Sequence, residues 1–354
     1  MSIYLDNNAT TRVDSEVLQA MLPFFADQFG NPSLMHDVGA AAGAAMKRAR
    51  QQLRALIGAK FDHEIIFTTG GTESNNTAIL SALDVMSERT EILTSAVEHP
   101  AVLALCGHLE DTRGIKVHRI PVDQHGRLDV DAYRAALTPR VAILSIKCAN
   151  NETGTIFPVA RLSEMAKKVG VLYILYIKCG VPSHALLKGG HQQPNRRAGT
   201  ENTPGIVGLG KEAELALERM DEENTWVKSL RDRLEKGLLE RVPKTFVTGD
   251  PLARLPNTIN VAFEGIGREA MQFLLNRHGI ACAFGSACSS RSSRQSHVLE
   301  AINVPHAAGL GAVRLSFSCF NGEEDVDQVL QVILGIVKKL RGSFPSVRQV
   351  ECGG

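Results

Sequence analysis

The sequence predicts a mostly parallel α/β fold followed by a smaller α+β unit. Three observations carry this expectation. Short apolar strands alternate with helical segments through most of the chain, the pattern of crossover connections in a parallel sheet. Polar loops follow the strand ends at Thr69–Thr72, Val97–Pro100 and Cys148–Gly154. Ligands of such sheets sit off that carboxyl edge. Past about Leu252–Asn257 the texture changes to three short strands and two helices.

Taken in order, Ile3–Asp6 reads as a short strand, and Asn7–Thr11 as a polar turn into a helix at Ser15–Phe25. Phe29–Ser33 is a loop. Ala40–Ile57 has apolar residues at helical spacing and stops at Gly58, a residue suited to the left-handed cap. Glu64–Thr68 reads as a buried strand, with a helix running on through Ala78–Met86. Glu91–Ala96, Lys116–Ile120 and Val141–Ile146 are further strands, and Val130–Leu137 and Ala160–Val169 further helices. A long helix at Asn224–Val242 precedes the junction. Beyond it lie strands at Thr258–Phe263, Ala281–Ala283 and Val313–Phe317, and helices at Glu269–Arg277 and Glu323–Leu340; about Gly342–Gly354 reads as a tail. The expected division is 1–255 for a large domain, with segment 1–15 packing with the small one, and 256–354 for the small domain.

Glu64–Asn76, EIIFTTGGTESNN, carries the first chemical signal. A glycine pair between a strand and a helix leaves backbone N–H groups uncovered, and the positive end of the helix dipole adds to them. The hydroxyls of Thr72 and Ser74 are further donors. The stretch is equally compatible with an ordinary, well-capped βα turn. No Lys follows the glycines as in a Walker loop, and the G-x-G-x-x-G spacing of a dinucleotide fingerprint is absent.

Composition sets the outer limits. The 39 basic and 38 acidic residues leave a formal charge of +1, which favours neither nucleic acid nor an anionic membrane as partner. No apolar run spans a bilayer, and Met1–Asn8 does not read as a signal peptide. Seven irregularly spaced cysteines without a C-x-x-C pair argue against a disulfide framework and against a metal site. A cytoplasmic protein with reduced thiols is expected.

Several motifs, in order along the chain, resemble one family. They are YLDNNATT (Tyr4–Thr11), FGNPS (Phe29–Ser33), EIIFTTGGTES (Glu64–Ser74), VEHPAVL (Val97–Leu103), ANNETGT (Ala149–Thr155), LLKGGHQ…RRAGTEN (Leu186–Asn202), VTGDP…RLPNT (Val247–Thr258) and GSACSS…SHV (Gly285–Val298). Together they are similar to the pyridoxal-phosphate-dependent cysteine desulfurases, most closely the NifS type. The resemblance implies a large domain of the pyridoxal-phosphate transferase type, as in aspartate aminotransferase, with a small α+β domain behind it. It implies conversion of L-cysteine to L-alanine, with sulfur passed to an enzyme cysteine for iron–sulfur or nitrogenase cluster assembly.

Residue by residue, Gly71 and Thr72 match the cup for the cofactor phosphate. His99 matches the imidazole that stacks on the ring and moves protons, tasks suited to a flat group titrating near neutrality; a plain capping histidine is the alternative. Asn151 matches the amide that bonds the ring hydroxyl, against a simple turn role. Thr200 matches a threonine that reaches the phosphate of the neighbouring subunit, which implies a homodimer. Arg314 matches the guanidinium that grips the substrate carboxylate, with Asn8 beside it or serving only its turn. Cys288, among small residues, matches the nucleophile that leaves as a persulfide. An iron–sulfur scaffold protein is the implied acceptor.

One departure is large. NifS-type chains begin and end like GVLYILYIKCGVPSHALLKG (Gly170–Gly189), with several tens of residues between. The missing part carries the aspartate for the ring nitrogen and the lysine of the covalent tether. No Asp lies between Asp131 and Asp221, and Lys167, Lys168, Lys178 and Lys188 match other positions. The repeat Leu172-Tyr173-Ile174, Leu175-Tyr176-Ile177 marks the junction, at about 174–176. Lesser departures are Lys147-Cys148 in place of Met-Trp and Cys319 in place of Arg. Two readings follow: a cysteine desulfurase, or a family member that keeps its surfaces without turnover. A transaminase of the same fold is a third, and Cys288 speaks against it.

Overall fold

The computed structural model describes residues 2–168, 172–173, 183–285 and 295–343. In chain order the elements are β1 (Ile3–Tyr4), α1 (Ser15–Met21), α2 (Pro23–Ala26), α3 (Asp37–Ile57), α4 (Gly71–Val85), β2 (Glu91–Ser95), α5 (Pro100–Arg113), β3 (Lys116–Ile120), α6 (Val130–Ala136), β4 (Val141–Ser145), α7 (Val159–Lys168), β5 (Leu172–Tyr173), a distorted turn α8 (Gln192–Asn195), α9 (Thr203–Arg241), β6 (Thr245–Thr248), β7 (Thr258–Phe263), α10 (Arg268–Arg277), β8 (Ile280–Ala281), α11 (His297–Ala301), α12 (His306–Gly309), β9 (Ala312–Ser316) and α13 (Glu323–Ser343).

β2 is buried at every position, as a strand covered on both faces must be. It lies inside a parallel sheet of order β3-β2-β4-β5. Alternate side chains go to opposite faces. Ile92 and Ile143 pack with Ile79, Val102 and Leu109 of α4 and α5. Leu93 and Leu144 pack with Tyr133 of α6 and Leu162 of α7. Arg89, just past α4, donates from Nη1 to the carbonyl of Val141 at 2.9 Å. The C-terminus of α4 therefore lies at the amino end of β4, and its N-terminus rises about 22 Å toward the carboxyl edge.

A second, antiparallel sheet has the order β6-β7-β9. Its core joins Val261, Phe263 and Leu315 to Leu230 and Leu234 of α9 and Val329 and Ile333 of α13. The N-terminal segment closes on this part of the chain. β1 pairs with β8 through Ile3↔Ile280, and Asp6 bridges to Ser316.

Several sequence expectations need correction. Glu64–Thr68 is not a strand: residues Asp62–Glu64 form a 3-10 turn and the next four are irregular. A strand needs a ladder partner, and among the described residues none lies beside this stretch. Its backbone bonds go to side chains instead, Phe67 N–H to Gln193 Oε1 at 3.0 Å and the Ile65 carbonyl to Arg50. The helix expected at Ser15–Phe25 is broken into α1 and α2, with Pro23 opening the second. The helix expected from Asn224 begins at Thr203 and runs 39 residues. A Cβ at Gly210 would lie 2.5 Å from the Ala49 Cα. Glycine there lets α9 and α3 touch backbone to backbone. β6, α11 and α12 arise where no element was expected. The junction at 174–176 and residues 344–354 lie outside the described residues.

Candidate active site

The carboxyl edge of the parallel sheet gathers the motif residues. At the end of β2, His99 caps α5: it has extended φ/ψ, Pro100 follows in the first turn, and its Nδ1 accepts from Ala101 N–H at 3.1 Å. That bond uses the Nδ1 lone pair, so the neutral ring carries its proton on Nε2. Burial holds His99 below the usual histidine range, and the nearby Lys147 charge adds to the effect. Near neutral pH the ring is therefore uncharged.

Glu98 is buried, and its carboxylate ties the two strand ends together. It accepts from Lys147 N–H at 2.5 Å and from His99 N–H at 3.2 Å, while Ser95 Oγ donates to it at 3.3 Å. Its carbonyl contacts His297 Nε2 at 3.0 Å. Beyond β4, the ANNETGT stretch folds on itself. Asn150 Nδ2 donates to the Val97 carbonyl at 3.1 Å, and Asn150 Oδ1 accepts from Glu152 and Thr153 N–H. Gly154 turns the chain back with φ +79°, a conformation glycine adopts freely. Buried Glu152 accepts from Ser296 Oγ at 2.6 Å.

This frame presents Asn151 as a junction. Its carbonyl accepts from Asn8 Nδ2 at 3.1 Å and from Arg314 Nη1 at 3.1 Å, and its Oδ1 accepts from Lys147 Nζ at 3.1 Å. Asn8 also donates to Thr258 Oγ1 at 2.9 Å. Arg314 is fully buried, paired with Asp6 at 2.6 Å, and its Nε has no partner among the described residues. Its strand neighbour Ala283 pairs with it backbone to backbone, which brings the approach to the GSACSS loop alongside. Cys288 itself lies outside the described residues.

Gly71 and Thr72 open α4 from an exposed position, and Gly70 before them supplies no side-chain cap. A Cβ built at Gly70 or Gly71 meets nothing within 4 Å. Space and uncovered first-turn donors fit an anion such as a phosphate. Glu73, in the same turn, pairs with Arg197 at 3.0 Å and reaches back to accept from Thr69 N–H at 3.0 Å. Thr200 is exposed on the loop that follows Arg197. The structure thus joins Asn8, His99, Asn151 and Arg314 to one strand edge, sets Gly71 and Thr72 at the α4 N-terminus, and leaves Thr200 facing outward.

Sequence reasoning missed Lys147, Glu98 and Glu152. Lys147 stood out only as a departure from Met, and nothing in the string tells where a flexible side chain ends. The two glutamates sit inside motifs already quoted, beside the residues that drew attention.

The architecture, motif residues along the carboxyl edge of a parallel sheet with a second antiparallel sheet behind, is that of the pyridoxal-phosphate-dependent α/β proteins. The class-V aminotransferase family matches residues 3–183 and 185–329, and the chain belongs to that family, whose cofactor is pyridoxal phosphate. It is 65% identical to the cysteine desulfurase of Sinorhizobium fredii over 380 residues, 97% of this chain and 98% of that one. It is 47% identical to the cysteine desulfurase NifS of Azotobacter vinelandii over 380 residues, 97% and 94% of the two chains. Among solved structures, a NifS-like protein matches with a TM-score of 0.88 at 31% identity, covering 96% of this chain and 100% of that one. SspA in complex with cysteine matches at 0.78 and 26%, covering 91% and 100%. The two sequence alignments span 380 positions where this chain has 354 residues, so the relatives carry residues that it lacks.

Proposed function

We propose that the chain is a cysteine desulfurase that releases L-alanine from L-cysteine and keeps the sulfur on Cys288. The observation that carries this reading is the Asn151 junction, where Asn8, Arg314 and Lys147 meet on one residue next to His99. Gly71 and Thr72 would hold the cofactor phosphate, and Asn151 Nδ2 would donate to the ring hydroxyl. Bound pyridoxal phosphate supplies an electron sink for the substrate carbon. His99, neutral and with its proton on Nε2, would lie against the ring and carry protons at that atom. Arg314, fixed by Asp6, and Asn8 orient the substrate carboxylate. The Cys288 thiolate forms the S–S bond as the substrate C–S bond breaks; the released electron pair stays with carbon, which takes a proton.

Thr200 serves the phosphate of a second copy, so the working unit is a homodimer. The acceptor of the persulfide sulfur is an iron–sulfur scaffold protein in the cytoplasm. The chain divides into a large domain of residues 1–255 and a small one of 256–354, with β6 crossing that line to pair with β7. Turnover is slow in this chain, because segment 170–189 holds neither the family's aspartate nor its lysine turn. Loss of a proton-transfer group typically costs ~10²–10⁴-fold in rate.

The test supplies purified protein with pyridoxal phosphate and L-cysteine, and measures alanine together with persulfide on Cys288 by mass spectrometry. Slow alanine release that disappears in Cys288→Ala supports the reading. Persulfide on another cysteine, or alanine release unaltered by Cys288→Ala, overturns the assignment; release at the rate of an undeleted relative overturns the slow-turnover part. A monomer mass by light scattering at micromolar concentration removes the role given to Thr200.

A further inference from the structure

Lys147 stands two residues past the end of β4. Among the described residues its ammonium has one hydrogen-bond partner, the Asn151 amide oxygen, and it forms no salt bridge. The titratable groups that act on it are His99, itself neutral, and the carboxylates of Glu98 and Glu152. Each of those carboxylates is already engaged: Glu98 by two backbone N–H groups and Ser95, Glu152 by Ser296. A lysine placed for structure would be expected to close on one of them. This one donates instead to the side-chain amide of Asn151, the residue on which Asn8 and Arg314 also converge.

We propose that Lys147 Nζ is the amine that binds the aldehyde of the cofactor covalently in this chain. The proposal rests on the pyridoxal-phosphate reading of the site and assigns a residue to a task for which the four lysines around the shortened segment offer none. The amine must first be neutral. Burial pulls Lys147 below the usual lysine range, and the Glu98 and Glu152 charges only partly offset this. The unprotonated nitrogen then attacks the carbonyl carbon. A C=N bond forms, and the carbonyl oxygen leaves as water with the two amine protons, so no oxidant or other co-reactant is required. Asn151 Oδ1 fixes the amine during the approach. The phosphate end would be held by the first turn of α4, whose N-terminus lies at the same edge of the sheet.

The experiment is to incubate the full-length protein with pyridoxal phosphate, reduce with borohydride, and locate the phosphopyridoxyl group by peptide mass spectrometry. The label is expected on Lys147, and to be lost in both Lys147→Met and Lys147→Arg. Methionine restores the residue type of NifS-type chains, and arginine keeps the charge without a nucleophilic amine, so a folding defect common to both is not expected; circular dichroism of each variant checks it. Pyridoxal without its phosphate should label less, which separates held aldehyde from random modification. Label on Lys178 or Lys188 with Lys147 clean, or label on Lys147 that is equal for the two aldehydes and shared by surface lysines, overturns the proposal. Readouts stay separable: a labelled Lys147 without alanine release sinks the desulfurase reading alone, and alanine release with Lys147 unlabelled sinks this one alone.

Discussion

The two flanks of the candidate site are supported by different means. On the β2–β4 flank, His99, Lys147 and Asn151 stand just past the ends of parallel strands paired to one another, and the buried Glu98 and Asn150 tie those ends together. On the cup flank, Ile65–Thr68 leads into Gly71 with no strand alongside among the described residues. Gln193 and Arg50 hold it by side chains. The turn that carries Gln193 is strained: Gln193 and Asn195 have positive φ, at 45° and 63°, where a Cβ crowds the backbone. The difference teaches how a motif can be held without a sheet. Ladder-supported motifs keep strand geometry, while a stretch of strand composition with no ladder partner among the described residues becomes a loop hung on side chains.

The largest effect expected is on the ladder flank. Glu98→Ala removes the acceptor of two backbone N–H groups and strands them in a buried place. The loss should be about 3 kcal/mol, since each buried unsatisfied donor costs roughly 1–3 kcal/mol. Urea unfolding measures it. A loss under about 1 kcal/mol would mean that water enters the strand ends and that the two flanks differ less than their bonding suggests.

Next is Gln193→Ala on the cup flank. Gln193 Oε1 accepts from Phe67 N–H and Arg50, and the side chain is 3% exposed. Its removal should cost about 2 kcal/mol, lessened by relief of the strained turn. Hydrogen exchange sharpens the comparison: Phe67 N–H should lose protection in this variant while the amides of β2 keep theirs. Equal loss in both places would show one cooperative unit instead of two flanks.

The same contrast explains what the sequence made legible. β3, β7 and the body of α3 follow from local pattern alone, because alternation, helical spacing and Gly58 at φ +67° are properties of adjacent residues. Ile65–Thr68 has the composition of a strand, but a strand is a relation to a partner that the string does not contain. The start of α9 was hidden because Gly208 and Gly210 disfavour a helix intrinsically, and only the packing on α3 shows what they are for. In the site, residues lying inside motifs were readable. Lys147 was not, because its meaning depends on where the end of a long side chain lies relative to Asn151.

The smallest effect expected is an acid response of the cup flank through Glu73. Its carboxyl is held down to about 2, first by the hydrogen bond from Arg197, against the opposing effect of burial, with further help from Thr69. Both partners are largely buried, at 12% and 14% side-chain exposure, so screening removes little of the pair's value. A carboxyl depressed in the folded state contributes stability that is present above its unfolded value near 4.5 and lost as the pH falls toward 2. Glu73→Gln cannot titrate, so the stability difference between wild type and variant isolates this pair. That difference should be about 1–2 kcal/mol at pH 6, with wild type the more stable, and should shrink steadily from pH 4.5 downward. His99 moves in the same direction at higher pH, since a depressed histidine also loses its contribution on acidification, but it titrates equally in both proteins and cancels. A difference that stays constant down to pH 2.5 would show that Arg197 does not hold Glu73 in the charged state, and that the first turn of α4 is fixed by Thr69 alone.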